Sequence, residues 1–358
     1  MKNIAYIELD THAEILLNFW EVIKDSDQFS VDYFVTEKIQ KLTSIQQNLN
    51  ICNPQNIVEK LTKKHYDLVI IGTAHRYFST FLEIEKHFRT AVVVHNINFS
   101  TLPTSQIVKN ISKEDVIYRT KLLLKEGLTK VSEVYEKAAY LLFLDEEMLQ
   151  KTDNAFYIKR KKENRVYFLP IFSYDEKPKH PAESTIVVIP GGVSQQRRDY
   201  EHVFSCLKNA NTSENFSFIF LGKASGKELQ QLKNLKTKLP ANIQLEYFEE
   251  KVSSQLFKKK MQCASVLWCP IQEKTSFFSQ TEIYGKTKMT GNLGDAIRFG
   301  KPAIFPKSYS TNLPFIFHEE EDIFAQILAL KSFNYDFSQE YSRKHILHNL
   351  ERTLTKLT

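Results

Sequence analysis

Short apolar segments alternate with amphipathic segments along most of the 358-residue chain. Strands of a parallel sheet are typically continuous apolar runs, because helices cover both faces of such a sheet. In the first half of the chain this pattern predicts six strands, at residues 4–9, 29–35, 66–72, 90–97, 138–146 and 165–171. Helical periodicity separates the strands, and Thr11 and Glu14 are predicted to cap the first helix, at residues 12–24. The first half is therefore predicted to be a doubly wound α/β domain.

The alternation stops at residues 172–184 and then begins again. This segment, FSYDEKPKHPAES, combines two prolines with mixed charge and lacks apolar periodicity, as is typical of a linker. Beyond it, the pattern predicts a second set of strands, at residues 184–192, 216–223, 242–248, 265–271 and 302–306. Residues 319–358 have mostly helical periodicity.

These patterns predict two consecutive domains of the same architecture. The first covers residues 1–172, a linker covers 173–184, and the second domain covers 185–335. The final segment, 336–358, is predicted to be a helix that can pack back on the first domain. The predicted fold class is α/β, with two doubly wound Rossmann-like domains that face each other across a cleft.

The composition is that of an ordinary globular protein, with 42% hydrophobic and 25% charged residues. The apolar runs are too short for a membrane-spanning helix, and the start of the chain does not resemble a secretory signal. A net charge of +6 allows weak contact with an anionic membrane but gives little support for nucleic-acid binding. The basic run at 159–165 is interpreted as a solvated turn, with a lipid-binding patch as the alternative. We expect a cytoplasmic protein that can lie at the inner face of the membrane.

The four cysteines lie in apolar segments without close partners in the sequence, and they are Cys52, Cys206, Cys263 and Cys269. Their positions do not match the spacing of zinc sites, so we interpret them as buried free thiols in a reducing compartment. The motif Asp25-Ser26-Asp27 lies in a helix-to-strand turn, at the sheet edge opposite to the expected ligand. No metal site is therefore predicted.

Polar residues and glycines directly follow many of the predicted strands. Ligands of open α/β sheets bind beyond the carboxyl ends of the strands, so these residues are the candidate site. In the first domain they are Asp10, His12, His75, His95 and Asn96, and in the second they are Gly191, Gly192, Gly222 and Lys223. This distribution predicts that the second domain holds an anionic ligand and that the first supplies the chemistry.

The segment YGKTKMTGNLGDAIRFGKPAIFP, at residues 284–306, contains four of the ten glycines. A helix is predicted to begin at Thr290, Gly291 and Asn292, where free N–H groups and the helix dipole favour phosphate. Lys288 adds positive charge, and Asp295 lies about one turn into the helix, where a carboxylate can bind ribose hydroxyls. The alternative interpretation is an ordinary connection between a loop, a helix and the next strand.

Arg197 and Arg198 form a second candidate for anion binding, because guanidinium groups can hold phosphate oxygens bidentately. The alternative is surface ion pairing with Asp199 or Glu201. Neither glycine-rich loop matches the dinucleotide fingerprint G-x-G-x-x-G or the Walker A pattern, which argues against those two kinds of site.

The second half of the chain resembles the donor-binding domain of GT-B glycosyltransferases. The resemblance is to the large retaining group that uses nucleotide-diphosphate sugars (family 4-like, or glycosyl transferases group 1). That group has Gly-Arg-x-x-x-x-Lys after a strand, and Gly191, Gly192 and Arg197 take those places here. It also has two glutamates eight positions apart before Gly-x-Pro. An alignment on the Gly-Lys-Pro at 300–302 matches them with Thr287 and Asp295.

The resemblance implies that Asp295 binds the ribose and that His95 contacts the donor sugar. It also implies that Arg197 and the amides of residues 290–292 contact the diphosphate. The residues that it places near the base are Tyr247, Phe248 and Glu249. Two positions depart from the family pattern. Gly192 replaces an arginine, for which Arg198 or Lys223 would compensate, and Thr287 replaces the acid that binds sugar hydroxyls.

The resemblance implies a hexosyltransferase-type glycosyltransferase that acts in surface polysaccharide or glycoconjugate synthesis. The donor would be UDP- or GDP-linked, and the acceptor a saccharide or lipid-linked hydroxyl. Amides and cations would stabilise the leaving diphosphate, so neither a metal nor another cofactor is expected. If the reaction inverts configuration, His12 or Asp10 is the predicted base, although His12 could equally be an exposed residue of the first helical turn. The alternatives are a non-catalytic nucleotide-sugar or glycan-binding GT-B-like subunit and a nucleotide-sugar epimerase.

Overall fold

The structure, a computed structural model, describes residues 1–151, 165–175 and 184–358. Most of the predicted linker (173–184) and of the basic run (159–165) lies outside the described residues. The chain divides into two compact units. Unit 1 consists of Met1–Ser173, Ser276–Met289 and Ser342–Thr358, and unit 2 consists of Tyr174–Thr275 and Thr290–Tyr341.

Unit 1 is built on a seven-stranded sheet in the order β3-β2-β1-β4-β5-β6-β7, in which all neighbours are parallel. The strands are β1 (Lys2–Glu8), β2 (Phe29–Val35), β3 (Leu49–Ile51), β4 (Leu68–Ile71), β5 (Thr90–Val93), β6 (Tyr140–Phe143) and β7 (Val166–Phe168). The helices that follow them are α1 (Ala13–Ile23), α2 (Glu37–Gln40), α3 (Ile57–Leu61), α4 (Phe78–His87), α5 (Ile97–Ser100), α6 (Thr104–Ile111), α7 (Val116–Glu126), α8 (Val131–Lys137) and α9 (Glu146–Lys151). The strand order reverses between β1 and β4, which is the usual ligand-binding point of such a sheet.

Unit 2 repeats this design with a six-stranded parallel sheet in the order β10-β9-β8-β11-β14-β15. Its strands are β8 (Thr185–Pro190), β9 (Phe216–Lys223), β10 (Ile243–Phe248), β11 (Val266–Trp268), β14 (Ala303–Phe305) and β15 (Ile316–His318). Its helices are α10 (Tyr200–Lys208), α11 (Gly226–Lys236), α12 (Ser254–Cys263), α13 (Gly291–Phe299), α14 (Ile323–Lys331) and α15 (Phe337–Tyr341). Here the strand order reverses between β8 and β11.

Each unit has its own apolar core, formed by the sheet and the helices that cover it. In unit 1 the central strand β4, with sequence LVII, is fully buried. In unit 2 the largest fully buried side chain is that of Trp268 in β11. The last helix, α16 (Arg343–Leu357), belongs to unit 1 and buries Leu350 and Leu354. These continuous apolar strands confirm the predicted doubly wound architecture of both halves.

A β-hairpin between β11 and α13 lies at residues that the sequence analysis assigned to the second domain. Its strands are β12 (Lys274–Phe277) and β13 (Gln280–Ile283), and residues 276–289 group with unit 1. The turn residues Phe278 and Ser279 both have positive φ, at 51° and 53°, in a turn that normally uses Asn-Gly. The ring of Phe278 stacks on Phe99 with centroids 5.0 Å apart. The turn of this hairpin is supported by the tertiary contact between Phe278 and Phe99. Because its sequence contains no turn motif, the hairpin was not predicted.

Several other expectations need correction. The strands β3 (LNI) and β15 (IFH) were not predicted, because each has only three residues and one of them is polar. The capping interaction of Thr11 and Glu14 is absent, since α1 begins at Ala13 with His12 at its N-cap and no side-chain cap bond. Cys52 and Cys269 are buried as predicted, but Cys206 is partly exposed and Cys263 is exposed. None of the helices in the described residues combines the length and apolar character needed to cross a bilayer.

Candidate functional site

Three histidines come together at the carboxyl end of the unit 1 sheet. The rings of His12 and His95 stack with centroids 4.2 Å apart and an interplanar angle of 7°. The ring of His75 lies edge-on, 5.5 Å from His95 and 5.8 Å from His12. These residues follow β1, β4 and β5, so the topology of the sheet gathers them at the point where the strand order reverses. The predicted grouping of histidines at this edge is therefore observed.

The hydrogen bonds around this cluster define the protonation of two of the rings. The Lys288 ammonium can only donate, and it contacts Oδ1 of Asn96, so the Asn96 amide nitrogen faces His75. That nitrogen lies 3.0 Å from Nε2 of His75, which must accept the hydrogen bond. Nε2 of His95 lies 2.7 Å from the carbonyl oxygen of Gly72, so it must donate. His75 thus carries its proton on Nδ1, and His95 carries a proton on Nε2.

Burial keeps both of these histidines neutral. Loss of hydration lowers the pKa of His75 and of His95 well below the usual value of 6.5, and nearby His12 and Lys288 lower both further. His75 and His95 are only 8% and 9% exposed as residues. At neutral pH these two imidazoles can therefore orient a ligand by hydrogen bonding without adding positive charge.

His12 differs from the other two in backbone and in exposure. It lies in the left-handed region with φ 58°, which is uncommon for a residue with a side chain. Its Nδ1 lies 2.9 Å from a carboxylate oxygen of Glu14, which can only accept, so the proton is on Nδ1. This leaves Nε2 as the basic nitrogen, and the His12 side chain is 32% exposed. His12 therefore has the geometry of a proton acceptor.

Asp10, the other predicted base, is engaged in ion pairs. One carboxylate oxygen lies 3.1 Å from Lys38 Nζ and 3.3 Å from Arg76 Nη1. Arg76 in turn forms a bidentate pair with Glu126. Because two cations already contact this carboxylate, Asp10 is better suited to hold Arg76 in place than to accept a proton from a ligand.

Glu8, the last residue of β1, also lies at the carboxyl edge of the unit 1 sheet and was not among the predicted site residues. Its side chain is completely buried and accepts hydrogen bonds from the Thr73 hydroxyl, at 2.7 Å, and from the amides of Asp10 and Thr11. Burial raises the pKa of the Glu8 carboxyl to about 8, so the group is largely neutral at pH 7. The signal in the sequence was an acidic residue at the end of the apolar run IAYIEL, which is expensive to bury without a partner.

Lys288 and Thr287 belong to unit 1, although the sequence analysis placed both at the donor site of the second domain. Lys288 contacts Asn96 beside the histidine cluster. The Thr287 hydroxyl accepts from the Ile283 amide at 2.8 Å. Glu282, a buried acid that the sequence analysis also missed, accepts from the amides of Asn98 and Phe99 and thereby caps α5. The hairpin therefore supplies side chains to unit 1.

In unit 2 the predicted anion-binding residues converge where β8 ends and α13 begins. Nη2 of Arg198 donates to Oδ1 of Asn292 at 3.3 Å, and Nη1 lies 3.5 Å from the carbonyl of Gly192. The Asn292 amide also donates to the Pro190 carbonyl at 3.3 Å, and it lies 3.4 Å from a carboxylate oxygen of Asp295. Thr290 is the N-cap of α13, and Gly291, its first residue, is exposed. The first turn of α13 is thus held against the end of β8.

The two neighbouring arginines have different environments. Arg197 is exposed, whereas Arg198 is partly buried, and its Nε is buried without a hydrogen-bond partner among the described residues. A buried guanidinium donor that has no protein partner is costly unless a ligand accepts from it. This observation favours Arg198 over Arg197, the residue that the family resemblance implies, as the anion-binding side chain.

The residues predicted near the base lie at a different part of the same sheet. Tyr247, Phe248 and Glu249 are at the end of the edge strand β10, two strands from β8. Glu249 pairs with Lys233 at 2.9 Å, and Lys236 lies over the Tyr247 ring at 5.6 Å. Lys223, at the end of β9, lies 3.6 Å from Glu250. These groups are therefore engaged with neighbours of their own, and the convergence around the first turn of α13 does not extend to them.

Substitution of Gly222 is expected to distort the glycine loop, because a Cβ there would lie 2.3 Å from the Gly191 carbonyl oxygen and 2.6 Å from the Gly192 nitrogen. Backbone atoms cannot move aside as a flexible side chain can. We expect Gly222→Ala to lower the free energy of unfolding by about 1 to 3 kcal/mol in urea denaturation.

The matched control is Gly192→Ala. A Cβ at Gly192 would meet no atom within 4 Å, and its φ is not positive. The control is expected to change the free energy of unfolding by less than about 0.5 kcal/mol. Equal effects of the two substitutions would contradict the proposed packing of Gly222 against the 191–192 peptide.

The comparisons with known proteins agree with this architecture. No protein family matches the sequence, and no curated protein matches it either. Among solved structures, a glycosyltransferase from Rickettsia africae is similar with a TM-score of 0.60 and 12% identity, over 99% of this chain and 98% of that one. Sucrose-phosphate synthase from Thermosynechococcus elongatus has a TM-score of 0.59 and 11% identity, over 100% and 99% of the two chains. Alr3699/HepE from Anabaena, solved with UDP-glucose, has a TM-score of 0.55 and 13% identity, over 99% and 100%.

Each of these similarities covers at least 98% of this chain and at least 98% of the matched structure. They show that the chain has the GT-B fold, which consists of two Rossmann-like domains. The prediction of this fold from the sequence is therefore confirmed.

Proposed function

We propose that this protein, which has the GT-B fold, is a glycosyltransferase that moves a sugar from a nucleotide-diphosphate donor to an acceptor hydroxyl. The observation that carries the proposal is the convergence of Arg198, Asn292 and the glycines 191–192 at the point where the unit 2 sheet reverses. Ligands of such sheets bind at this point, and free N–H groups at the first turn of a helix favour phosphate.

The donor diphosphate would be bound by the amide of the exposed Gly291 at the start of α13 and by the Arg198 guanidinium, because the Asn292 amide already donates to the Thr290 hydroxyl at 3.3 Å. Nη1 of Arg198 supports this assignment, because its 3.5 Å contact with the Gly192 carbonyl is exposed and a phosphate oxygen can reach it. Asp295, one turn into α13, is proposed to bind ribose hydroxyls. Tyr247, Phe248 and Glu249 remain candidates for contacts with the base.

In the transfer step, the acceptor oxygen forms a bond with the anomeric carbon while the bond from that carbon to the diphosphate oxygen breaks. The electron pair of the broken bond stays on the leaving diphosphate, where amides and the Arg198 cation stabilise it. The acceptor proton must leave with a base. For an inverting reaction, Nε2 of His12 is the proposed acceptor of this proton, and neutral His95 is proposed to hydrogen-bond the sugar. These residues would need no metal for the transfer.

The acceptor is proposed to be a saccharide or a lipid-linked glycan in the synthesis of a surface polysaccharide or glycoconjugate, in the cytoplasm. The apolar residues Ile117 and Leu124 of α7 are 89% and 77% exposed, and Lys121 and Lys125 are on the same helix. An apolar surface beside lysines supports weak contact with a lipid-linked acceptor or an anionic membrane.

Binding of a nucleotide sugar without transfer is the second candidate function. Thr287 stands where the resembling family has an acid, and its hydroxyl is already bonded within the hairpin. A protein that lacks this acid could bind the donor and not use it.

The proposal is tested by thermal unfolding and calorimetry with UDP and with GDP, followed by an assay of sugar transfer. We expect one of these nucleotides to bind and to raise the melting temperature by mass action. Arg198→Ala is expected to weaken that binding by about 10- to 100-fold, because a hydrogen bond to a charged group contributes about 1.5 to 3 kcal/mol.

Arg197→Ala is the matched control, since it removes the same charge from the adjacent exposed position. We expect the control to weaken binding by less than about threefold, as surface charges contribute little. If neither nucleotide binds, the donor site is wrong. If a nucleotide sugar binds but is neither transferred nor hydrolysed, the binding function replaces the enzymatic one.

A further inference from the structure

A second cluster of potential ligands lies in unit 2, away from the residues assigned to the donor. His202 and Cys206 are four residues apart on α10, and Glu319 directly follows β15. One potential ligand atom from each residue lies within 4.8 Å of the others. Among residues 1–151, 165–175 and 184–358, no other three His, Cys, Asp or Glu side chains place their potential ligand atoms this close together.

We propose that His202, Cys206 and Glu319 bind a divalent transition-metal ion of the zinc type. Imidazole nitrogen, thiolate sulfur and carboxylate oxygen are the three ligand types that zinc uses in proteins. A thiolate and an imidazole disfavour magnesium and calcium, which prefer oxygen ligands. This proposal does not depend on the proposed function.

The side chains of the cluster are close enough to bind one ion after small side-chain rotations. Zinc bonds of about 2.3 Å to sulfur and about 2.1 Å to nitrogen, at a tetrahedral angle, place the two ligand atoms about 3.6 Å apart. Sγ of Cys206 lies 3.6 Å from Nε2 of His202, and 4.0 Å from Nδ1 of the same ring. The sulfur lies beside the imidazole ring, since it is nearly equidistant from both ring nitrogens, and Nε2 contacts Oε1 of Glu319 more closely than the about 3.4 Å that separates two tetrahedral zinc ligands. Metal entry would replace the contact between His202 and Glu319.

The elements that carry the ligands are rigid, and a further hydrogen bond orients the carboxylate. Oε2 of Glu319 accepts from the indole N–H of Trp268 at 3.0 Å, which leaves Oε1 for the metal. Trp268 is completely buried in β11. On α10, Asp199 caps the helix by accepting from the His202 amide at 3.1 Å. The Trp268 bond orients the Glu319 carboxylate, as hydrogen bonds to ligands do in protein metal sites, whereas the Asp199 bond fixes only the start of α10.

The cluster also has an open side. His202 and Glu319 line a cavity of about 390 Å³, whose wall includes Lys307, Ser308 and Glu321. Three protein ligands with a solvent-accessible fourth position are typical of zinc sites that bind water or a further ligand. The proposed site is therefore an open site, in contrast to a closed structural one with four protein ligands.

The sequence gives no local sign of this site, because its residues are far apart in the chain or match no common metal-binding motif. The pair His202-x-x-x-Cys206 occupies one face of a helix, since residues four apart are neighbours there. Glu319, however, is 117 residues away from His202. The expectation that no zinc spacing exists rested on local Cys and His patterns alone.

The test is a titration of the reduced full-length protein with Co²⁺, followed by competition with Zn²⁺. We expect one Co²⁺ per chain, with the near-ultraviolet absorption of a cobalt–thiolate bond, and we expect Zn²⁺ to remove this absorption. Cys206→Ser should abolish the thiolate band, and His202→Ala should weaken binding by at least about tenfold. Trp268→Phe should weaken it by about 10- to 100-fold, as loss of a hydrogen bond to a ligand does elsewhere.

Cys263→Ser is the matched control, because Cys263 is an exposed cysteine outside the cluster, and it should bind Co²⁺ like the wild type. Circular dichroism and metal-free melting temperatures would establish that the variants are folded. Absence of a thiolate band in the wild type, or a band that persists in Cys206→Ser, would overturn the proposal.

Discussion

Replacing Glu8 with glutamine is expected to stabilise the protein at alkaline pH and to have little effect at pH 5. The carboxyl of Glu8 is buried in unit 1, and burial raises its pKa from 4.5 to about 8. Glutamine has the same shape and cannot ionise. At pH 9 we expect Glu8→Gln to be more stable than the wild type by about 3 to 6 kcal/mol, because each unit by which the folded-state pKa exceeds the unfolded-state pKa corresponds to about 1.4 kcal/mol.

The sign of this effect follows from proton binding. Between pH 4.5 and about 8, the folded protein holds a proton on Glu8 that the unfolded chain has released. The stability associated with this group is therefore complete below pH 4.5 and is lost as the pH rises through about 8. The glutamine variant has no such loss, so the difference between the two proteins should widen over this range and then level off.

The measurement is urea denaturation of both proteins at pH 5, 7 and 9. Comparison of the variant with the wild type cancels the contributions of other titrating groups, including His75 and His95. Glu59→Gln is the control, because the Glu59 side chain is 73% exposed, and its effect should stay below about 0.5 kcal/mol at each pH. If the free energy of unfolding changed with pH in the same way for Glu8→Gln and the wild type, Glu8 would have the same pKa in the folded and unfolded states and would be ionised in the folded protein at neutral pH.

Removal of Glu126 is expected to lower the free energy of unfolding by about 3 to 4 kcal/mol. Glu126 ends α7, and its carboxylate binds Arg76 through two hydrogen bonds, one of them 2.9 Å long. The Glu126 side chain is only 8% exposed and that of Arg76 is 21% exposed. In Glu126→Ala the Arg76 cation would remain mostly buried, with Asp10, at 3.3 Å, and the Tyr77 ring, 4.7 Å away, as its remaining partners.

A matched control and a double variant separate this effect from ordinary loss of a side chain. Glu133 forms an exposed pair with Lys137, and Glu133→Ala should cost less than about 0.5 kcal/mol. Arg76→Met combined with Glu126→Ala should cost less than the sum of the single substitutions, because it leaves no unpaired charge. Urea denaturation at neutral pH measures the wild type and each of these variants. A loss for Glu126→Ala no larger than that for Glu133→Ala would contradict the importance of the buried pair.

The architecture of both units could be predicted because burial leaves a local trace in the sequence. Strands such as YDLVIIG and SVLWCPI are continuous apolar runs, and the helices between them have a clear period. The strand-to-helix order also predicts which sheet edge carries His12, His95 and the glycines at 191–192. This inference needs only the rule that strands in such folds are parallel and that their carboxyl ends share an edge.

The identity of the individual contacts could not be predicted in the same way. Arg197 and Arg198 are adjacent and chemically identical, but only the fold directs Arg198 toward Asn292, 94 residues away. Lys288 was expected at the donor site, yet the hairpin places it beside Asn96 in unit 1. The hairpin itself has Phe278 and Ser279 in its turn, so no local motif announced it.

The sequence by itself therefore determined the fold class, the two doubly wound domains and the sheet edge at which ligands are expected, because these depend on the spacing of apolar residues along the chain. The tertiary structure alone decided which side chains meet there. It paired Glu126 with Arg76, buried Glu8 deeply enough to raise its pKa, and brought Glu319 to His202 and Cys206. Hydrogen bonds, ion pairs and metal sites depend on distances between atoms that are remote in the chain, and a one-dimensional pattern carries no such distances.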